Sequence, residues 1–107
     1  AGPDAGDLVV VGWGSTYGSI RQAVESMRAE GKDVSHAHLR YLNPFPRNFE
    51  KVLRSYDKVL IPEMNMGQLE TIVRARYLIP TEGLHKIQGK PFRIDELVAR
   101  MRGLLEV

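Results

Sequence analysis

The chain has 107 residues, 43% of them apolar and 26% charged, with a formal charge of +2 at pH 7. That length suits one domain with one core, and the mixed charge speaks against disorder and leaves no basic stripe for a nucleic acid. The absence of cysteine excludes disulfides, thiolate chemistry and Cys-ligated zinc or iron–sulfur clusters, and no apolar run nears the roughly 20 residues that cross a bilayer.

The first residues, AGPDAGDL, carry no basic region and no apolar region, so they are not a signal peptide. Residues 1–7 read as a linker or as a boundary inside a longer protein, and residues 8–107 as the domain. Residues 8–13 form a short continuous apolar run, the pattern of a strand buried on both faces. Ile20, Ala23, Val24 and Met27 follow at helical spacing, and Gly31 stands where a left-handed residue ends a helix. Residues 34–42 read as a second strand, with Val34, His36, His38 and Arg40 on one face and Ala37, Leu39 and Tyr41 on the other. The NPFP turn at 43–46 precedes a second helical stripe of Phe49, Val52, Leu53 and Tyr56.

KVLIPEM, residues 58–64, is a third buried strand, and Pro62 suggests that ladder pairing runs out there. Asn65 and Gln68 have the spacing of a capping box for a helix striped by Leu69, Ile72, Val73 and Tyr77. Residues 84–88 are a candidate fourth strand. Ile94, Leu97, Val98, Met101 and Leu105 make a last amphipathic helix, with Asp95 and Glu96 placed to favour its first turn. The alternation predicts a mostly parallel sheet of order 2-1-3-4 with helices on both faces. Its switch point lies between strands 1 and 3, so GWGSTYG and EMNMGQ should share the rim beyond the carboxyl ends of the strands.

The rim invites a nucleotide reading, which the residues resist. Gly12 and Gly14 match two positions of a dinucleotide fingerprint, but Tyr17 stands at the third. The second strand ends in Arg40, Tyr41 and Leu42, where an acid should hold the ribose. Ser15, Thr16 and Ser19 can cap the helix or, alternatively, help its start to bind an anion. Trp13 suits either core or interface, and Tyr17 is expected to face a partner. Glu63 reads as a solvated or salt-bridged strand-end acid, or alternatively as an acid/base group or one that orients a partner loop. Met64 and Met66 suit packing or an adaptable contact. His36 and His38 have the spacing of two metal ligands on one strand face but lack an evident third. Arg74, Arg76, Arg100 and Arg102 read as solvated surface. No GxSxG, Walker or HExxH motif occurs.

Taken together, VVVGWGSTYGSIRQAVESMRAEG, HLRYLNPFP, KVLIPEMNMGQLETIVRARYL and KIQGKPF resemble one family in order and spacing. The chain is similar to the C-terminal domain of the α subunit of 2-oxoacid:ferredoxin oxidoreductases, of the 2-oxoglutarate type, over nearly its whole length. The resemblance implies the three-layer α/β/α fold of the transketolase C-terminal domain, with an additional antiparallel first strand that precedes the strands found here. It implies a bacterial, cytoplasmic holoenzyme that converts a 2-oxoacid and coenzyme A to acyl-CoA and carbon dioxide while reducing ferredoxin. Thiamine diphosphate, Mg2+ and an iron–sulfur cluster then lie in other domains of the α subunit and in the β subunit. This domain itself is expected to be inactive, with no catalytic, cofactor or metal residue, and with no nucleic-acid or membrane partner. Trp13, Ser15, Thr16, Tyr17, Glu63, Asn65, Met66 and Gln68 are the candidate contact rim. The alternative is a stand-alone module that binds an anion or coenzyme A at the helix start between Ser15 and Ser19.

Overall fold

The computed structural model describes residues 6–13, 17–39, 48–63, 68–85 and 92–105. Strand β1 (Gly6–Trp13) leads to α1 (Tyr17–Ala29), β2 (Val34–Leu39), α2 (Phe49–Arg54), β3 (Tyr56–Glu63), α3 (Gln68–Tyr77), β4 (Glu82–His85) and α4 (Ile94–Leu105). The four strands form one sheet of order β2-β1-β3-β4, and every pairing is parallel. Central strands buried on both faces need continuous apolar sequence, and VVV in β1 and VLI in β3 supply it.

Alternation along these strands divides the core in two. Leu8, Val10 and Leu60 point to one face, where they meet Ile20, Ala23, Val24 and Met27 of α1 and Leu97, Met101 and Leu104 of α4. Val9, Val11, Val59 and Ile61 point to the other, against Phe49 and Leu53 of α2 and Leu69 and Val73 of α3. The result is the expected three-layer α/β/α sandwich, with α1 and α4 on one side and α2 and α3 on the other.

Several boundaries differ from the sequence reading. Gly6 and Asp7, read as linker, begin β1. The Gly6 N–H donates to the Ser55 carbonyl at 3.3 Å and the Asp7 N–H to Asp33 Oδ2 at 3.2 Å. Tyr56, read as part of the second helical stripe, opens β3 instead, because it pairs with Gly6 and only Ser55 separates it from α2. The fourth strand begins two residues earlier than expected, at Glu82, and is described as far as His85; residues 86–88 lie outside the described residues. In α4, Leu97, Met101 and Leu104 are buried, and Val98 and Leu105 pack against the same core as expected, whereas Ile94 is 40% exposed.

Pro62 ends only half of its strand's pairing. The β1–β3 ladder stops at Val10 opposite Leu60, but on the other edge Pro62 pairs with Leu84 and Glu63 with His85. A proline lacks one donor, and that loss is tolerated where only one neighbour continues. Two of the arginines read as free surface join elements: Arg100 pairs with Glu82 at 3.2 Å and Arg102 with Glu30. Exposed pairs of this kind contribute about 0–1 kcal/mol each, so they adjust the packing rather than hold it.

Candidate functional site

The carboxyl ends of β1 and β3 meet as anticipated, and one side chain joins them. Glu63, the last residue of β3, is 1% exposed. Its Oε1 accepts from the Trp13 indole Nε1 at 3.1 Å and from the Leu69 N–H at 2.6 Å, and its Oε2 accepts from the Glu70 N–H at 3.0 Å. Leu69 and Glu70 are the second and third residues of α3. Their amides have no partner inside the helix and are the ones a capping side chain usually satisfies. The positive end of the helix dipole favours a carboxylate there.

This geometry corrects one expectation. Glu63 is neither solvated nor salt-bridged through solvent-exposed partners; it is a buried acceptor of three donors from its own chain. The capping-box expectation rests on Asn65, which lies outside the described residues; the amides of Leu69 and Glu70 are taken by the acid that ends the preceding strand. The polar chain continues inward, since Glu70 Oε2 accepts from the Thr81 hydroxyl at 2.7 Å. Both residues are buried, so the chain runs from the end of β1 through β3 and α3 to the residue before β4.

Among the described rim candidates, Trp13 and Tyr17 lie on opposite faces of the sheet. Trp13 packs beside the α2–α3 core. Tyr17 opens α1 on the opposite side, 45% exposed, with its hydroxyl accepting from Arg21 at 3.3 Å. Its ring lies 5.4 Å from His36 and 5.0 Å from His38, and these three line an open cleft of about 260 Å³ with Arg21 and Glu25. Burial, followed by the adjacent His38, lowers the His36 pKa to about 4. Ser15, Thr16, Asn65 and Met66 lie outside the described residues, as do Arg40, the NPFP turn and Met64. Gln68 begins α3.

Sequence reasoning missed the Glu70–Thr81 bond and the Tyr17–His36–His38 group. An acid directly ending an apolar strand, a few residues before a helix, was the available signal for Glu63. Nothing local announces Thr81. As to chemistry, the arrangement at Glu63 is a clamp: both carboxylate oxygens are occupied by donors from within the domain. Among the described residues no three of His, Cys, Asp and Glu gather as they would to hold a metal. With no cysteine in the chain, it also supplies no thiolate to an iron–sulfur cluster. No helix among the described residues is long and apolar enough to cross a membrane.

Comparisons with known proteins agree with this architecture. The family model for the pyruvate:ferredoxin oxidoreductase core domain II matches residues 6–97. A relative from Mycobacterium tuberculosis, "2-oxoglutarate oxidoreductase subunit KorA", is 46% identical over 92% of this chain, which spans 15% of that protein. A solved 2-oxoglutarate:ferredoxin oxidoreductase from Magnetococcus marinus matches 98% of this chain with a TM-score of 0.89 and 30% identity, over 18% of its own chain. The alpha chain of a probable 2-oxoacid ferredoxin oxidoreductase from Thermoplasma acidophilum matches 99% of this chain and 94% of its own, with a TM-score of 0.67 and 27% identity. A split-gene transketolase, at 18% identity and a TM-score of 0.69, shares the fold. The chain thus has a transketolase-like sandwich, spans less than a fifth of the M. tuberculosis and Magnetococcus proteins, and belongs to the pyruvate:ferredoxin oxidoreductase core domain II family.

Proposed function

We propose that residues 8–107 are a non-catalytic, subunit-contact domain of a 2-oxoacid:ferredoxin oxidoreductase α subunit, with 2-oxoglutarate as the substrate of the whole enzyme. The observation that carries this reading is the Magnetococcus match, in which 98% of the chain superposes on one part of a 2-oxoglutarate:ferredoxin oxidoreductase. The assembled enzyme would take a 2-oxoacid and coenzyme A to acyl-CoA and carbon dioxide and pass electrons to ferredoxin, in a bacterial cytoplasm. Thiamine diphosphate, when bound, supplies the decarboxylation chemistry. The chain has no cysteine for a cluster, and among the described residues no three of His, Cys, Asp and Glu gather to hold that cofactor's metal, which supports placing both in other domains and in the β subunit. No step of the reaction is therefore assigned to residues of this chain.

Its role would be to pack against the remainder of the α subunit and the β subunit. The contact rim comprises Trp13, Ser15, Thr16, Tyr17, Asn65, Met66 and Gln68, with Glu63 acting from behind it. Trp13 and Tyr17 are partly exposed aromatics at the sheet's carboxyl end, the residue type enriched where proteins meet. The test is to assay the 107-residue chain with 2-oxoglutarate, coenzyme A, thiamine diphosphate, Mg2+ and an electron acceptor, and the whole α subunit with these residues deleted. No turnover by the chain, and failed α–β assembly of the deletion, are expected. Turnover by the chain alone, or normal assembly of the deletion, would refute the reading.

A further inference from the structure

Glu63 holds one rim residue, Trp13, and the first turn of the helix that begins at Gln68. The three donors it accepts come from two places far apart in sequence: the indole at the end of β1, 50 residues earlier, and the first turn of α3, six and seven residues later. Both carboxylate oxygens are used, and the side chain is buried, so losing a partner leaves a buried polar group unsatisfied. The bond from Thr81 to Glu70 Oε2 holds the same turn of α3 through its side chain. Trp13 in turn pairs with Leu39 in the ladder, so its ring is tied to β2 through the backbone and to β3 through its N–H.

We propose that Glu63 is the positioning residue of the rim, coupling Trp13 to the first turn of α3 so that the two meet a partner as one pre-formed surface. This rests on the contact-rim reading above and adds the device that sets its shape. A surface ordered in advance gives up less conformational freedom on association than two independently moving parts. A carboxylate suits the task because it accepts at both oxygens, whereas the isosteric amide must turn an NH2 group toward one of the three donors. Glu63→Gln therefore preserves volume and breaks the clamp. Trp13→Phe preserves the aromatic ring and removes one donor, leaving both α3 amides beside the carboxylate.

The discriminating experiment is amide hydrogen exchange on the 107-residue chain, with the amides of Val10 and Leu60 as the reference for global opening. The Thermoplasma relative, of nearly the same extent, supports work on this chain by itself. Glu63→Gln is expected to speed exchange at Leu69 and Glu70 at least tenfold relative to that reference, and to at least double iodide quenching of Trp13, the only tryptophan. The sharper expectation is that Trp13→Phe also speeds exchange at Leu69 and Glu70, at least threefold. Unchanged exchange there would make Glu63 a helix cap alone and overturn the coupling. Trp13→Phe decides the matter even where Glu63→Gln does not fold. In the complete α–β assembly, Glu63→Gln should weaken association at least tenfold. Unaltered association beside altered exchange would remove the rim as the contact surface and leave the coupling standing.

Discussion

His36 sits where a positive charge is costly. Its ring is half-buried between Tyr17 and His38, and burial is the largest cause of the fall of its pKa from 6.5 to about 4. In the unfolded chain the imidazole takes up its proton near pH 6.5, while in the folded chain it does so only near pH 4. Between these values the unfolded state binds more protons, so the stabilisation is complete above pH 6.5 and is lost as pH falls toward 4. Solvent screening at a half-exposed site reduces the effect to about 1–2 kcal/mol. Urea midpoints should decline from pH 7 to pH 4.5, and His36→Phe should flatten that decline. A midpoint equally pH-dependent in His36→Phe would place the effect in another group.

At the scale of the element, two helices end in the same backbone conformation with opposite residue choices. Gly31 follows α1 at φ +83°, with its N–H donating to the Arg28 carbonyl at 2.9 Å and the Lys32 N–H to that of Met27 at 3.1 Å. That is the glycine-terminated pattern expected from sequence. Leu78 follows α3 at φ +58°, its N–H on the Arg74 carbonyl at 3.0 Å, yet its side chain is 82% exposed. A Cβ in this region costs about 1–2 kcal/mol, and an exposed side chain gains little packing to offset it. Chemical denaturation should show Gly31→Ala destabilised by about 1 kcal/mol and Leu78→Gly stabilised by about 0.5–1 kcal/mol. Destabilisation by Leu78→Gly would mean that the leucine makes a contribution its exposure does not suggest.

The molecule as a whole depends on a sheet with a core on each face, and Leu60 lies at its centre. It is fully buried, sits on β3 between β1 and β4, and faces the α1–α4 layer. Both flanking strands are anchored through the ladder, so the surroundings have little freedom to close around a void. Leu60→Ala should cost about 3 kcal/mol, within the 2–5 kcal/mol typical of a buried leucine, and lower the urea midpoint with the slope unchanged. A loss below about 1 kcal/mol would show that α4 settles into the space, since loosely held layers collapse more completely.

Much of this organisation was legible in the residues themselves. VVV and VLI can be buried on two faces only as central strands, the stripes of Ile20–Met27 and Leu69–Val73 suit helices that cover them, and parallel crossovers leave few orders besides 2-1-3-4. The family resemblance rested on the same stretches and agrees with the comparisons. Local pattern misjudged Tyr56, because apolar spacing does not reveal where a ladder partner such as Gly6 captures the chain. It misjudged Ile94 and Leu104 because a stripe gives the angle of a helix but not its seating. Glu63 was placed at the rim by sequence, but only the tertiary structure decided its role. An acid becomes a buried clamp when strand pairing brings an indole and a helix start within hydrogen-bond reach, and those distances depend on the packed sheet rather than on neighbours in the chain.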